Sequence, residues 1–126
     1  MKRLLDVGNC GPDHGALCDL IERYFDAEVV QAHGMQDALE QLRQGDFALV
    51  TINRLMDRDG SSGLEIIQQI KQDATLSQIP VMLVSNYEDF QDQAVQLGAA
   101  RGYGKSSLQA DATRALLGQY LEPRGS

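Results

Sequence analysis

Phe47-Ala48-Leu49-Val50-Thr51-Ile52-Asn53 decides how the rest of the chain is read. Apart from Thr51, the run is apolar up to Asn53, without the alternation of a half-solvated strand. Such a run is expected of a strand covered on both faces. A charged loop, residues 54–63, follows, with glycines at Gly60 and Gly63. Leu64, Ile67 and Ile70 then recur at helical spacing.

The same unit repeats in both directions. Residues 3–7 and 28–31 read as strands before it, and residues 81–85 and 102–104 as strands after it. Leu17, Leu20, Ile21 and Tyr24 form one helical stripe. Met35, Ala38, Leu39 and Leu42 form a second. Phe90, Ala94 and Leu97 form a third, ended by Gly98. Leu108, Ala112, Leu116 and Tyr120 form the last. Ser62 with Glu65, and Ser106 with Gln109, have capping-box spacing, and Asp13 after Pro12 is placed to cap the first helix. Five strand-helix units predict an α/β domain, a parallel sheet with helices on both faces. Ligand sites in such sheets gather at the carboxyl ends of the strands. Here that edge carries residues 8–11, residues 53–63, Ser85-Asn86 and Lys105-Ser106.

Composition narrows the function classes. The chain has 126 residues, enough for one domain with an ordinary core. A net charge of −7 argues against a nucleic-acid surface, which needs clustered Lys and Arg. No apolar run is long enough to span a bilayer, and residues 1–7 are too short for a signal peptide. Cys10 and Cys18 lack metal-ligand spacing, so a reduced cytoplasmic setting is expected. Residues 1–121 are expected to form the domain, and residues 122–126 an unstructured tail or expression remnant.

Asn53, Ser85 and Lys105 each end an expected strand. Ser85 stands five residues after Pro80 and Lys105 seven after Gly98. In that order and spacing the chain resembles the receiver domain of bacterial response regulators. Further markers are Asp37-Ala38-Leu39, Gly63-Leu64-Glu65, Ile79-Pro80-Val81 and Gln96-Leu97-Gly98-Ala99. The resemblance spans nearly the whole chain. It implies a flavodoxin-like (βα)5 fold with strand order 2-1-3-4-5. It also implies a role in two-component signalling.

The resemblance assigns three chemical parts, and two are missing. Asn53 stands where the family has its phosphoryl-accepting aspartate. The family's acidic, magnesium-binding pair falls on Gly8 and Asn9, or on Asn9 and Cys10, depending on the alignment. Neither choice supplies a carboxylate, so Mg2+ binding is expected to be lost and no cofactor is expected. Ser85 and Lys105 match the family's switch hydroxyl and lysine. Lys105 is expected to pair with Asp57 or Asp59 as a structural pin. Ser106 replaces the proline that often follows the lysine. Gly102 stands at the family's aromatic position, with Tyr103 one residue late and so on the opposite face of its strand. The loop after Asn53 is about two residues longer than the family pattern, as at a changed partner surface.

These departures predict a non-enzymatic, phosphorylation-independent interaction module. Its expected partner is a kinase, a phosphotransfer protein or an output domain, with a homodimer as a further form. The resemblance places the partner surface on the fourth helix, fifth strand and fifth helix, with Tyr87, Phe90, Tyr103 and Leu108 as contacts. One alternative keeps phosphorylation, at Asp57 or Asp59. Another is a thiol sensor at Cys10, near a helix start. The glycines at 8, 11 and 15 fit no dinucleotide or Walker pattern. Residues 55–66 fail the calcium-loop pattern at Leu55 and Ile66. His14 and His33 are expected to be exposed, and Cys18 to pack within its helix.

Overall fold

The computed structural model describes residues 1–125. Five strands form one parallel sheet: β1 Lys2–Val7, β2 Ala27–Ala32, β3 Leu49–Asn53, β4 Val81–Val84 and β5 Ala100–Tyr103. Their order is β2-β1-β3-β4-β5, the flavodoxin-like arrangement. The helices are α1 Gly11–Tyr24, α2 Met35–Gln44, α3 Gly63–Gln72, α4 Glu88–Gln96 and α5 Asp111–Leu117.

Strand parity divides the core. Leu5, Val7, Val50, Ile52, Val81 and Leu83 face α2, α3 and α4, packing on Ala38, Ile67, Ile70 and Ala94. Leu4, Leu49, Met82, Val84 and Tyr103 face α1 and α5, packing on Leu17, Ile21 and Leu117. All five residues of β3 are buried, as the opening run required. Both faces bury branched apolar side chains, each worth about 1.5–3 kcal/mol.

Helix starts follow local chemistry. The Ser62 hydroxyl accepts from the Leu64 amide, so Ser62 caps α3 as expected. The Asp37 carboxylate accepts from the amides of His33 and Gly34, closing the entry to α2. Two expected caps are corrected. Helix α1 begins at Gly11, because Pro12 is pre-organised for a first turn. Asp13 therefore lies inside the helix and Cys10 is its N-cap. The Ser106–Gln109 box does not form: Lys105–Ser107 is a short 3-10 turn, and α5 starts only at Asp111. The shorter helix buries Thr113 and Leu117, off the expected stripe.

The expected loose tail is also corrected as far as it is described. The Asp26 amide donates to the Glu122 carbonyl and the Arg124 amide to the Tyr24 carbonyl, both at 2.9 Å. Arg124 Nε also donates to the Glu22 carbonyl. The tail thus pairs with the chain leaving α1, whose free carbonyls need donors. Ser126 lies outside the described residues. No helix among the described residues is long and apolar enough to cross a membrane.

Candidate functional site

Asn53, Ser85 and Lys105 meet at the carboxyl edge of the sheet. They line one cleft of about 210 Å³ together with Arg54, Leu55, Val84, Asn86 and Tyr87. Asn53 is 4% exposed. Its Nδ2 donates to the Gly8 carbonyl at 3.2 Å, while its Oδ1 is buried without a protein partner. The Ser85 hydroxyl accepts from the Tyr87 amide. Arg54 lays its guanidinium over the rings of Phe90 and Tyr87, at 4.7 and 5.5 Å from the centroids.

Lys105 Nζ donates to Asp13 Oδ2 at 2.8 Å. The expected pairing with Asp57 or Asp59 is corrected. Asp13, at the start of α1, lines a second depression together with Lys105. The ammonium holds the Asp13 carboxyl below the usual carboxylate range. As both groups are about half exposed, the pair contributes little stability.

Gly8, Asn9 and Cys10, where the acidic pair is expected to fall, follow β1 directly. Gly8 has φ +89°, and a Cβ there would stand 2.6 Å from Met56 Cε. The backbone conformation strains any side chain at this position, and the Met56 side chain would have to move aside for one. The Gly8 carbonyl accepts from Asn53 Nδ2 and from the Asp57 amide. Asn9 is buried, and its Nδ2 donates to Asp6 Oδ1 at 2.8 Å. Cys10 is half-buried at the N-cap.

This donor set does not fit magnesium, a hard ion held through carboxylates and water. The nearby acids are both committed, Asp6 to Asn9 and His14, and Asp13 to Lys105. The remaining buried oxygens without partners here, Asn9 Oδ1 and Asn53 Oδ1, are neutral amides. Among the described residues no three His, Cys, Asp or Glu side chains converge to hold a metal.

The β4–β5 pairing slips between Met82 and Val84, so Tyr103 sits opposite Val84. A side chain at Gly102 would collide with the Leu83 carbonyl oxygen. Gln91 of α4 fills the irregularity instead. Its Oε1 accepts from the Gly102 amide, and its Nε2 donates to the carbonyls of Leu83 and Ser85. Sequence reading missed Gln91, though it lies three residues before buried Ala94, on the inward face.

The expected contact residues separate. Tyr103 is corrected: it points to the α1/α5 face and is 8% exposed, a core ring and no anchor. Burial pushes its hydroxyl far above the ordinary tyrosine range. Phe90 and Leu108 are half-buried against the two cores. Tyr87 is 59% exposed and meets Phe90 edge-on.

Neither alternative acceptor lines the cleft of Ser85 and Lys105. Asp57 comes no closer than 4.0 Å to His33 Nδ1. The Asp59 carboxylate accepts from the Ser61 amide and lines a different depression with Asp37 and Arg58. Cys10 makes no side-chain capping hydrogen bond at the start of α1. His14 is corrected from exposed to paired: its Nδ1 lies 2.7 Å from Asp6 Oδ2, with the ring 20% exposed.

No protein-family model and no curated protein matches the chain. Solved structures do. The receiver domain of the Francisella response regulator 1452 superposes with a TM-score of 0.77 at 12% identity, over 95% of this chain and 97% of that one. The chain has the receiver fold. The beryllofluoride-activated NtrC4 receiver domain dimer gives a TM-score of 0.73 at 22% identity, over 93% and 92% of the two chains. The chemotaxis response regulator CheY4 of Vibrio cholerae gives 0.70 at 16% identity, over 90% and 98%. The receiver fold is therefore present here with Asn53, Ser85 and Lys105 at its carboxyl edge.

Proposed function

We propose that this chain is a receiver-type module of two-component signalling that acts by binding a protein partner and takes no phosphoryl group. The buried Asn53 amide carries the reading. Its nitrogen lone pair is delocalised, so the group is no nucleophile and forms no acyl phosphate. The Met56 side chain packed against Gly8 and the engaged acids Asp6 and Asp13 support the same reading. On this view the chain is not an enzyme and works in the cytoplasm. Its partner is a kinase, a phosphotransfer protein or an output domain, and a homodimer is a further form.

The partner surface lies on the rim of the cleft and the start of α4. Tyr87 is its exposed ring and Leu55, 44% exposed, its apolar neighbour. Arg54 and Phe90 hold the tyrosine in place from behind. Such an aromatic anchor often dominates an interface.

Two measurements test the proposal. Intact mass after incubation with a small phosphodonor and Mg2+ is expected to be unchanged, beside a competent receiver as positive control. A gain of one phosphoryl group would sink the phosphorylation-independent reading and point to Asp57 or Asp59. Crosslinking capture from native lysate is expected to retain a two-component protein on the wild type. The Tyr87→Ala variant should retain it at least several-fold less. Equal capture by both forms would move the interface elsewhere.

A further inference from the structure

We infer that His14 and Cys18 form a binding site for a soft divalent transition ion, of which Zn2+ is the type. The two residues are one helical turn apart on α1, so their side chains share a face. His14 Nε2 and Cys18 Sγ stand 3.4 Å apart. Two such ligands of one tetrahedral Zn2+, with Zn–N and Zn–S bonds of about 2.0 and 2.3 Å, stand about 3.5 Å apart. The pair, now joined by a thiol–imidazole hydrogen bond, thus has close to the separation that a shared ion needs.

The outer partner is present too. Asp6 Oδ2 lies 2.7 Å from His14 Nδ1. A carboxylate there accepts a hydrogen bond from Nδ1–H and so leaves the Nε2 lone pair facing the thiol. This carboxylate–histidine arrangement orients metal-bound imidazoles elsewhere. Asp6 is itself fixed by Asn9, so the ring is held from a buried, rigid strand. Burial, and then the charges of Asp6, Glu22 and Asp19, push the Cys18 thiol up, so a cation drawn by those charges binds in competition with the thiol proton.

His14 and Cys18 are half-buried, so an ion can reach them from solvent. In the metal-free state the thiol proton bridges Sγ and Nε2. On binding, the S–H bond breaks, that proton leaves to water, and both atoms donate a lone pair to the ion. No third His, Cys, Asp or Glu converges on the pair among the described residues, so water completes the shell. A two-ligand site of this kind binds reversibly and exchanges its ion. It is separate from the Asn53 cleft and does not depend on the proposed function.

Co2+ titration of the reduced chain tests this, since a cobalt–thiolate bond gives a near-ultraviolet charge-transfer band. The wild type and the Cys10→Ser variant are expected to show the band, and added Zn2+ to abolish it. Cys18→Ser and His14→Ala should lack it. Asp6→Asn should weaken binding about 10–100-fold while the band's shape is kept. Far-ultraviolet circular dichroism checks that each variant is folded. A wild type without the band, or a band that survives Cys18→Ser and vanishes with Cys10→Ser, would overturn the inference.

Discussion

Gly63→Ala is expected to remove about 3 kcal/mol or more of folding stability, as a clash that backbone must move to relieve. The first residue of α3 lies directly against the end of β3. A methyl group at Gly63 would overlap the carbonyl oxygen of Asn53 and press on the Ile52 side chain. The Gly63 amide also donates to the Arg54 carbonyl at 2.7 Å, so the turn cannot open without losing that bond. Domains have only about 5–15 kcal/mol to lose. Gly15→Ala is the internal control. Nothing lies within 4 Å of a Cβ there, and the position is helical. That change should raise stability by about 0.5–1 kcal/mol. Urea unfolding of the three proteins decides the matter. A Gly63→Ala midpoint equal to the wild type's would show that helix and strand are not in contact here.

Asn53→Asp is expected to give a protein that is less stable at neutral pH and still unphosphorylated. The new carboxylate would occupy a site only 4% exposed, facing the Gly8 carbonyl that now accepts from the amide. It would find no acidic pair and so no divalent ion. The neighbouring cation, Lys105, is already held by Asp13. An uncompensated buried charge costs about 3–5 kcal/mol. Burial raises the folded-state pKa of such a group above its unfolded value of about 3.9. The folded variant therefore binds the proton more tightly than the unfolded one. Its deficit is absent below that unfolded pKa, grows as pH rises toward the folded pKa, and is full above it. Denaturation of variant and wild type across that range reads the deficit, and intact mass with phosphodonor and Mg2+ reads the chemistry. Efficient labelling of the single variant would show that a metal site exists at this edge.

The strand-helix alternation was legible because β3 and β4 are continuous apolar runs and the helices keep a clear period. Asn53, Ser85 and Lys105 were legible as strand ends, and the sheet brings strand ends together. Three kinds of feature were not legible. The slip between β4 and β5 depends on how near Gly102 comes to the Leu83 carbonyl, a distance with no trace in a single chain's pattern. The partners of Lys105 and His14 depend on where α1 starts, and Pro12 moved that start ahead of Asp13. Charged and polar side chains choose neighbours across the sheet edge, so sequence proximity pointed Lys105 toward the wrong acids. The ordered tail escaped because its bonds are made by backbone groups, which every composition shares.

The seat of Tyr103 has a consequence for time. A relay that changes its message needs a part with two resting places of similar energy. This ring shares a core with Leu17, Val84 and Leu117, and its own strand is pinned by Gln91 at Gly102. Repositioning it means repacking a core, which is costly. On the function proposed above, a protein so built has one message and no clock. What it tells its partner would then be set by how many copies are present, and the message would end when those copies are removed.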